Sequence, residues 1–176
     1  MDLQAIYRRA ATVRLIIFDV DGVLTDGSLF YGDDGQEYKA FNSLDGHGIK
    51  MLRATGVEAA IITGRTSNVV LHRAKNLNIS RIFQGADDKL ASYQTLLAET
   101  GLTPEQTAYM GDDIVDLPVL KRCGLALSVP TAPELVRRQV HYVTQAQAGR
   151  GAAREACELI MRAQGTWESQ LALYDR

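Results

Sequence analysis

The segment that most constrains the fold is a short, largely apolar run, residues 13–18, that leads directly into Asp19-Val20-Asp21-Gly22. The run is rich in β-branched residues and lacks polar alternation, which is typical of a buried parallel strand. Residues two apart in an extended chain project to the same side, so Asp19 and Asp21 are predicted to face one ligand. That ligand would bind at the strand's carboxyl end, where open α/β sheets place their sites.

Asp-Gly pairs recur at Asp26-Gly27, Asp34-Gly35 and Asp45-Gly46, and for these three a plain turn is the favoured interpretation. The pair Asp19 and Asp21 differs, because two like charges beside a buried strand repel each other unless a cation or a shared proton compensates. An EF-hand loop does not fit, because it needs Gly at its sixth position and Gly22 comes fourth. The pair therefore predicts a catalytic or metal-binding site.

The length and charge of the chain favour one domain of ordinary size with a small-molecule partner. The chain has 176 residues and a formal charge of −2, so we expect one domain over residues 1–176 and no binding of nucleic acid or membrane. Cys123 and Cys157 have no metal or redox spacing and are predicted to be reduced core residues of a cytoplasmic protein. The sequence at Arg8-Arg9 does not continue as an export signal, and no apolar run is long enough to span a bilayer.

The rest of the chain predicts an α/β fold: a Rossmann-like parallel sheet flanked by helices, with one β-hairpin. Helical and strand-like segments alternate, which indicates right-handed crossovers between parallel strands. The hairpin covers residues 28–41 around a Gly-Asp-Asp-Gly turn. Helices are predicted at about 47–55, 67–76, 89–99, 114–122 and 152–163, and strands at 57–62, 81–83, 107–110, 125–129 and 141–143. Residues 165–176 form a C-terminal tail, and 167–176 receive no assignment.

Further polar residues follow the predicted strands. They are Thr63 and Arg65 in Thr-Gly-Arg, Lys89 at the start of a helix, and Asp112, Asp113 and Asp116 after Gly111. Each alone has an ordinary interpretation as a helix cap, a solvated charge or a dipole partner. Together, each behind its own strand, they predict one site at the carboxyl edge of the sheet.

The order Asp-x-Asp, Thr, Lys, Gly-Asp-Asp resembles the haloacid dehalogenase superfamily of phosphohydrolases, and the match extends from residue 15 to residue 116. This resemblance implies that Asp19 is a nucleophile that forms an aspartyl phosphate and that Asp21 is the general acid and base. It also implies that Thr63 and Lys89 hold the phosphoryl oxygens. Lys89 would offset the charge that Asp19 and the phosphate bring together.

The same resemblance implies a Mg²⁺ cofactor. Its ligands would be Asp19, the main-chain carbonyl of Asp21, and Asp112, with Asp113 and Asp116 as outer partners. Mg²⁺ prefers hard oxygen ligands and commonly binds through one or two carboxylates plus a phosphate, which suits this set.

Many members of the superfamily carry an inserted cap domain, and this chain has no room for one between Asp21 and Thr63 or between Thr63 and Lys89. An open site excludes water poorly. We therefore expect a HAD-like fold without a cap, in which neighbouring subunits cover the site and the aromatic hairpin makes contacts between them.

Within the superfamily the chain resembles the capless branch that contains the 3-deoxy-D-manno-octulosonate 8-phosphate (KDO 8-phosphate) phosphatases, which are homotetramers that make a lipopolysaccharide precursor. Three segments extend this resemblance: Asp45-Gly46-His47-Gly48, Phe83-Gln84-Gly85 and Ala148-Gly149-Arg150-Gly151-Ala152. The substrate implied is a sugar acid phosphate, with Arg65 and His47 as further binding residues. Arg150 is either part of a plain loop or a residue that reaches an adjacent subunit.

Three alternatives remain open on the sequence alone. A phosphatase for a nine-carbon, sialic-acid-like 9-phosphate is disfavoured because such relatives tend to carry Glu where Arg65 stands. A receiver-type signalling module requires an Asp after a later strand, and none follows Ile62 or Phe83 in that way. A noncatalytic regulatory subunit is disfavoured because every catalytic position is intact.

Overall fold

The computed structural model describes residues 2–175 and contains a six-stranded parallel sheet flanked by helices. The strands are β1 Leu15–Phe18, β2 Phe30–Tyr31, β3 Glu37–Tyr38, β4 Glu58–Ile62, β5 Arg81–Phe83, β6 Thr107–Met110, β7 Leu125–Ser128 and β8 Tyr142–Val143. The helices are α1 Leu3–Ala11, α2 Ser43–Ala54, α3 Asn68–Asn76, α4 Lys89–Thr100, α5 Leu117–Leu120, α6 Glu134–Arg137, α7 Ala152–Ala163 and α8 Trp167–Ala172. The predicted α/β class is confirmed, and β2 and β3 form the predicted antiparallel hairpin.

Strand β1 occupies the centre of the sheet, whose order is β5-β4-β1-β6-β7-β8. All four of its side chains are fully buried, which explains why its sequence is apolar on both faces. The chain runs outward from β1 through β4 to β5, then crosses to β6 on the other side of β1. This reversal is a topological switch point, and it brings the carboxyl ends of β4, β1 and β6 together.

The interpretation of Asp45-Gly46 as a turn is wrong. Helix α2 starts at Ser43 rather than at residue 47, because the Asn42 side chain accepts the N–H of Leu44 at 2.8 Å and caps the helix. Asp45 is therefore helical and buried, and its carboxylate accepts the N–H groups of Gly151 and Arg154 at the start of α7. A distant segment supplies the partners of this residue.

The predicted helix over 114–122 is confirmed, although it is two residues shorter. It starts as one tight turn, Ile114–Asp116, which continues directly into the short α5. A capping box fixes the start, in which the side chains of Asp113 and Asp116 each accept the main-chain N–H of the other residue.

Three helices lie where the sequence received no assignment: α1, α6 and α8. Helix α8 begins at Trp167, which is buried, and the guanidinium groups of Arg154 and Arg162 lie over its ring at 5.7 and 4.5 Å. Both cysteines are free and buried as predicted. Within residues 2–175, every helix is too short or too polar to pass through a membrane.

Gly48 lies where α2 packs against α7. A Cβ atom at Gly48 would lie 2.9 Å from the Cα of Arg154, a main-chain atom that cannot swing away. An Ala at an open helical position would stabilise the helix by about 1 kcal/mol relative to Gly. Here the forced separation of two helices, which costs about 1–3 kcal/mol, opposes that gain.

We therefore expect Gly48→Ala to lower the free energy of unfolding by about 1 kcal/mol, measured by urea denaturation. Lys50→Ala, at an exposed position of the same helix, serves as the control and should change stability by less than about 0.5 kcal/mol. A Gly48→Ala protein as stable as the unchanged chain would show that the contact between α2 and α7 is not tight.

Candidate active site

A cleft of about 260 Å³ opens at the carboxyl ends of the central strands. It contains nearly all the site residues predicted from the sequence. The lining consists of Asp19, Asp21, Thr63, Gly64, Arg65, Lys89, Asp112, Asp113 and Val115. Of the remaining predicted residues, Asp116 lies buried in contact with Lys89, whereas His47 lies elsewhere.

Strand β1 ends at Phe18, and Asp19 and Asp21, which follow it, both line the cleft. Asp19 and Asp21 both have extended backbone angles, and Val20 between them is fully buried. The N–H of Asp19 donates to the carbonyl of Met110 in β6 at 3.0 Å, which fixes the start of the loop.

Gly22 makes room for an acid from the next strand. Its φ is +84°, a conformation that glycine adopts without strain. A Cβ atom here would lie 2.1 Å from Oδ2 of Asp112. The glycine therefore lets the β1 loop and the β6 loop approach closely enough to share one site.

Lys89 lies between two carboxylates in the floor of the cleft. Its Nζ is 2.7 Å from Oδ2 of Asp19 and 2.6 Å from Oδ1 of Asp116, and the side chain is 3% exposed. Burial alone would lower the pKa of Lys89, but the charges of Asp19 and Asp116 raise it above its usual value. Lys89 is therefore a fixed cation in this cleft.

Asp116 organises the acidic loop after β6. Its Oδ1 accepts bonds from Lys89 and from the Tyr109 hydroxyl, each at 2.6 Å, and its Oδ2 accepts the amides of Asp112 and Asp113. Burial and the nearby Asp116 charge raise the pKa of Tyr109 well above its usual value, so the hydroxyl keeps its proton and donates. Both oxygens of Asp116 are thus already occupied by protein donors.

Oxygen atoms of Asp19, Asp112 and Asp116 lie within 4.8 Å of one another. Burial raises the pKa of Asp19 to about 6 despite the opposing charge of Lys89, with Asp116 adding to the rise. Burial also raises the pKa of Asp112 to about 7, with further contributions from Asp19 and Asp116. A divalent cation relieves this crowding, and Asp19 and Asp112 line the open cleft in which it would bind, whereas Asp116 does not.

Thr63 lies at the end of β4 and is almost fully buried. Its N–H donates to the carbonyl of Phe83, and its carbonyl accepts the N–H of Ala86 at 3.1 Å. These bonds tie the Thr-Gly-Arg loop to the segment that leads into Lys89. They place the Thr63 residue and the Lys89 ammonium on the same cleft.

Arg65 extends across the mouth of the cleft toward the hairpin. Its Nε lies 3.7 Å from Oδ2 of Asp21 and its Nη2 lies 3.0 Å from Oε1 of Glu37. Hydrogen bonds to Tyr31 and Glu37 raise the pKa of this guanidinium further. Arg65 is therefore a permanent positive charge within reach of an anionic ligand.

The sequence reasoning missed Lys39 and Glu37, which the hairpin brings to Asp21. The Lys39 ammonium contacts Oδ1 of Asp21 directly and lies 3.1 Å from Oε1 of Glu37. A signal was present, since Glu37 and Lys39 alternate with Tyr38 and so share one side of an extended chain. Two opposite charges on one side of an aromatic hairpin indicate a polar partner there.

Two residues named in the sequence analysis lie away from the cleft. His47 is exposed on α2, and its ring packs edge-on against Tyr174 with 5.5 Å between ring centroids. Arg150 is exposed too, with Nη2 3.9 Å from Oδ2 of Asp26. Among the described residues, neither His47 nor Arg150 lines the cleft.

Comparison with known proteins identifies relatives over most of this chain. Residues 78–155 match the sequence model of the haloacid dehalogenase-like hydrolases. The 3-deoxy-D-manno-octulosonate 8-phosphate phosphatase of Yersinia pestis is 46% identical over 168 residues, which cover 96% of this chain and 90% of that protein.

Two solved structures extend the likeness to three dimensions. A probable YrbI-family phosphatase from Pseudomonas syringae is 52% identical with a TM-score of 0.97, and the match covers 98% of each chain. The 3-deoxy-D-manno-octulosonate 8-phosphate phosphatase of Moraxella catarrhalis, in complex with a magnesium ion, a phosphate ion and KDO, is 43% identical with a TM-score of 0.94. That match covers 96% of this chain and 97% of the other. This chain therefore belongs to the haloacid dehalogenase-like hydrolases, in the family of the 3-deoxy-D-manno-octulosonate 8-phosphate phosphatases.

Proposed function

We propose that the protein is a Mg²⁺-dependent phosphohydrolase that converts KDO 8-phosphate to KDO and phosphate through an aspartyl-phosphate intermediate. The observation that carries the proposal is the convergence of Asp19, Asp21, Thr63, Lys89 and Asp112 on one cleft. The reaction would supply KDO for a lipopolysaccharide precursor in the cytoplasm. The family assignment supports the substrate class.

Asp19 is the proposed nucleophile. Its Oδ1 accepts the N–H of Val20 at 2.7 Å and its Oδ2 contacts Lys89, so the carboxylate is held in one orientation. As an Asp19 oxygen bonds to phosphorus, the bond from phosphorus to the sugar oxygen breaks and that oxygen takes a proton from Asp21. Water then attacks the aspartyl phosphate while Asp21 accepts its proton, which releases phosphate and restores both carboxyl groups.

Lys89 and Thr63 hold the phosphoryl oxygens, which is the main requirement in phosphoryl transfer. Lys89 is suited to this because it is buried, charged and fixed by two carboxylates. Asp116 holds Lys89 and the acidic loop in place, and Asp113 borders the cleft beside them.

Asp19, Asp112 and the main-chain carbonyl of Asp21 would hold the Mg²⁺. When bound, the ion neutralises charge on the phosphoryl group and helps to orient it. The raised pKa values of Asp19 and Asp112 support the assignment, since they reflect buried carboxylates that lie close to other acids without a cation. The magnesium complex of the Moraxella catarrhalis relative is consistent with the choice of ion.

Arg65 is the proposed partner of the substrate carboxylate, because a guanidinium binds a carboxylate through two parallel hydrogen bonds. It stands at the mouth of the cleft, beyond the phosphate-binding residues. His47 and Arg150 lie outside this cleft, so any substrate contact they make would be in another subunit's site.

We also propose a homotetramer in which neighbouring subunits cover each cleft. The hairpin exposes four large apolar side chains, Leu29, Phe30, Tyr31 and Tyr38, each at least 46% exposed. Exposed apolar groups of this kind are typical of subunit interfaces. A cleft in a single, capless domain also leaves the leaving group open to water.

Replacing the two central acids tests the mechanism. Asp19→Asn should abolish phosphate release from KDO 8-phosphate, whereas Asp21→Asn should slow it by about 10²-fold, because general acid–base catalysis contributes at least that much. Phosphoenzyme should accumulate only in Asp21→Asn, detected by acid-quenched mass spectrometry. Asp33→Asn, at an exposed hairpin position, is the matched control. Rapid hydrolysis by Asp19→Asn would contradict its role as nucleophile.

Replacing Arg65 tests the substrate. Arg65→Met should raise KM for KDO 8-phosphate by about tenfold or more, because one hydrogen-bonded contact between charged groups is lost. KM for a sugar phosphate without a carboxylate should change little. Exposed Arg138→Met is the control. In the same assay the unchanged enzyme should prefer the eight-carbon over a nine-carbon sugar acid phosphate. The opposite preference would reassign the substrate.

The metal site predicts a definite pH dependence. Asp19 and Asp112, with pKa values of about 6 and about 7, bind protons that Mg²⁺ must displace. Both pKa values lie above the usual 3.8, so protonation of these two groups stabilises the metal-free folded protein at low pH. This contribution to stability is lost as the pH rises toward 7. The increase in Tm caused by Mg²⁺ should therefore be large at pH 8 and small at pH 5. Asp112→Asn should remove most of the increase; an unchanged increase would exclude Asp112 as a ligand.

A further inference from the structure

Lys39 is a buried cation that the reaction described above does not use. Its side chain is 1% exposed, although the two residues of β3 that precede it are partly open to solvent. Lysine is rarely buried to this degree unless it is paired. Its ammonium contacts Oδ1 of Asp21 and lies 3.1 Å from Oε1 of Glu37.

The two oxygens of Asp21 have different surroundings. Oδ1 accepts the hydrogen bond from Lys39, whereas Oδ2 is buried and has no hydrogen-bond donor among residues 2–175. The Arg65 guanidinium lies near Oδ2, with Nε at 3.7 Å. A buried oxygen without a donor is costly, and such an atom in a cleft is one that a ligand satisfies.

We infer that Lys39 is a positioning residue: it anchors Asp21 through Oδ1, so that Oδ2 faces the oxygen of the leaving sugar. This inference rests on the proposed function. The terminal torsion of an Asp side chain is broad, so an unanchored carboxyl group samples many orientations. A general acid must lie within hydrogen-bond reach of the oxygen that it protonates.

The same anchor makes the hairpin part of the active site. Glu37 contacts both Lys39 and Arg65, so the hairpin that carries Lys39 also contacts the proposed carboxylate-binding residue. The hydrogen bonds from Lys39 and Arg65 lower the pKa of Glu37 although burial opposes them, which keeps this bridge charged. A purely structural role, in which Lys39 only fastens the hairpin, is the alternative to be tested.

Leaving groups of different basicity separate the two roles. A sugar alkoxide needs a proton as it departs, whereas p-nitrophenolate does not. Both substrates give the same aspartyl phosphate, so the step that forms it is measured alone, in single turnover with Mg²⁺. Lys39→Met should slow this step about 10²-fold for KDO 8-phosphate, the scale of general acid catalysis, and less than about threefold for p-nitrophenyl phosphate. Lys50→Met, which removes an exposed lysine, should change neither rate.

A double-mutant cycle with Asp21→Asn provides the second measurement. If Lys39 acts through Asp21, Lys39→Met should slow aspartyl-phosphate formation by less than about twofold in the Asp21→Asn background. Equal slowing of aspartyl-phosphate formation from both substrates, or the full loss in that background, would overturn the inference and leave a structural role.

Folding is checked by circular dichroism and by retained formation of the aspartyl phosphate from p-nitrophenyl phosphate. If Lys39→Met does not fold, Lys39→Gln, which keeps a hydrogen-bond donor without charge, takes its place in the same assays. Failure of both variants to fold would assign Lys39 to the structure alone. Absence of phosphatase activity in the unchanged protein would instead contradict the proposed function.

Discussion

The ion pairs of one buried lysine connect the chemistry of this protein to its fold. Lys89 lies between Asp19 from the β1 loop and Asp116 from the β6 loop, so a single cation holds two neighbouring strand ends together. Removing one partner of a buried charge group leaves the others uncompensated, which is far more costly than losing a surface ion pair. The geometry of the phosphate site and the cohesion of the sheet edge therefore depend on the same contacts.

The arrangement also explains why small residues stand where they do. Gly22 admits the Asp112 carboxylate, and at Gly111 a Cβ atom would lie 2.4 Å from Cγ of Asp116. Asp112 and Asp116 can lie close to the other acids of the site because Gly22 and Gly111 have no side chains that would occupy the same space. Burial, with the repulsion between these acids added to it, raises the pKa values of Asp19 and Asp112 and makes a bound cation favourable.

Much of this architecture was predictable from the sequence. The buried strands were recognisable as short apolar runs, and the polar residues after them mark the switch point, because parallel strands end at one edge. Other features depend on partners distant in sequence. Asp45 is predicted locally to be in a turn, yet its carboxylate caps α7, and Asp116 accepts donors from Lys89 and Tyr109 that come from other elements. Lys39 was missed because β2 and β3 form a separate sheet. No strand pairing with the main sheet indicates from the sequence where this hairpin lies.

The hydrogen bond between Asp19 and Met110 joins the proposed nucleophile to a strand from the second half of the chain. Contacts between such distant segments form slowly, because a long loop must close before they contribute energy. A chain that has not yet paired β1 with β6 brings neither the phosphate site nor the acidic cluster together. Activity is therefore acquired only with the complete central sheet, and an ion that binds this cluster selectively stabilises chains that have finished folding.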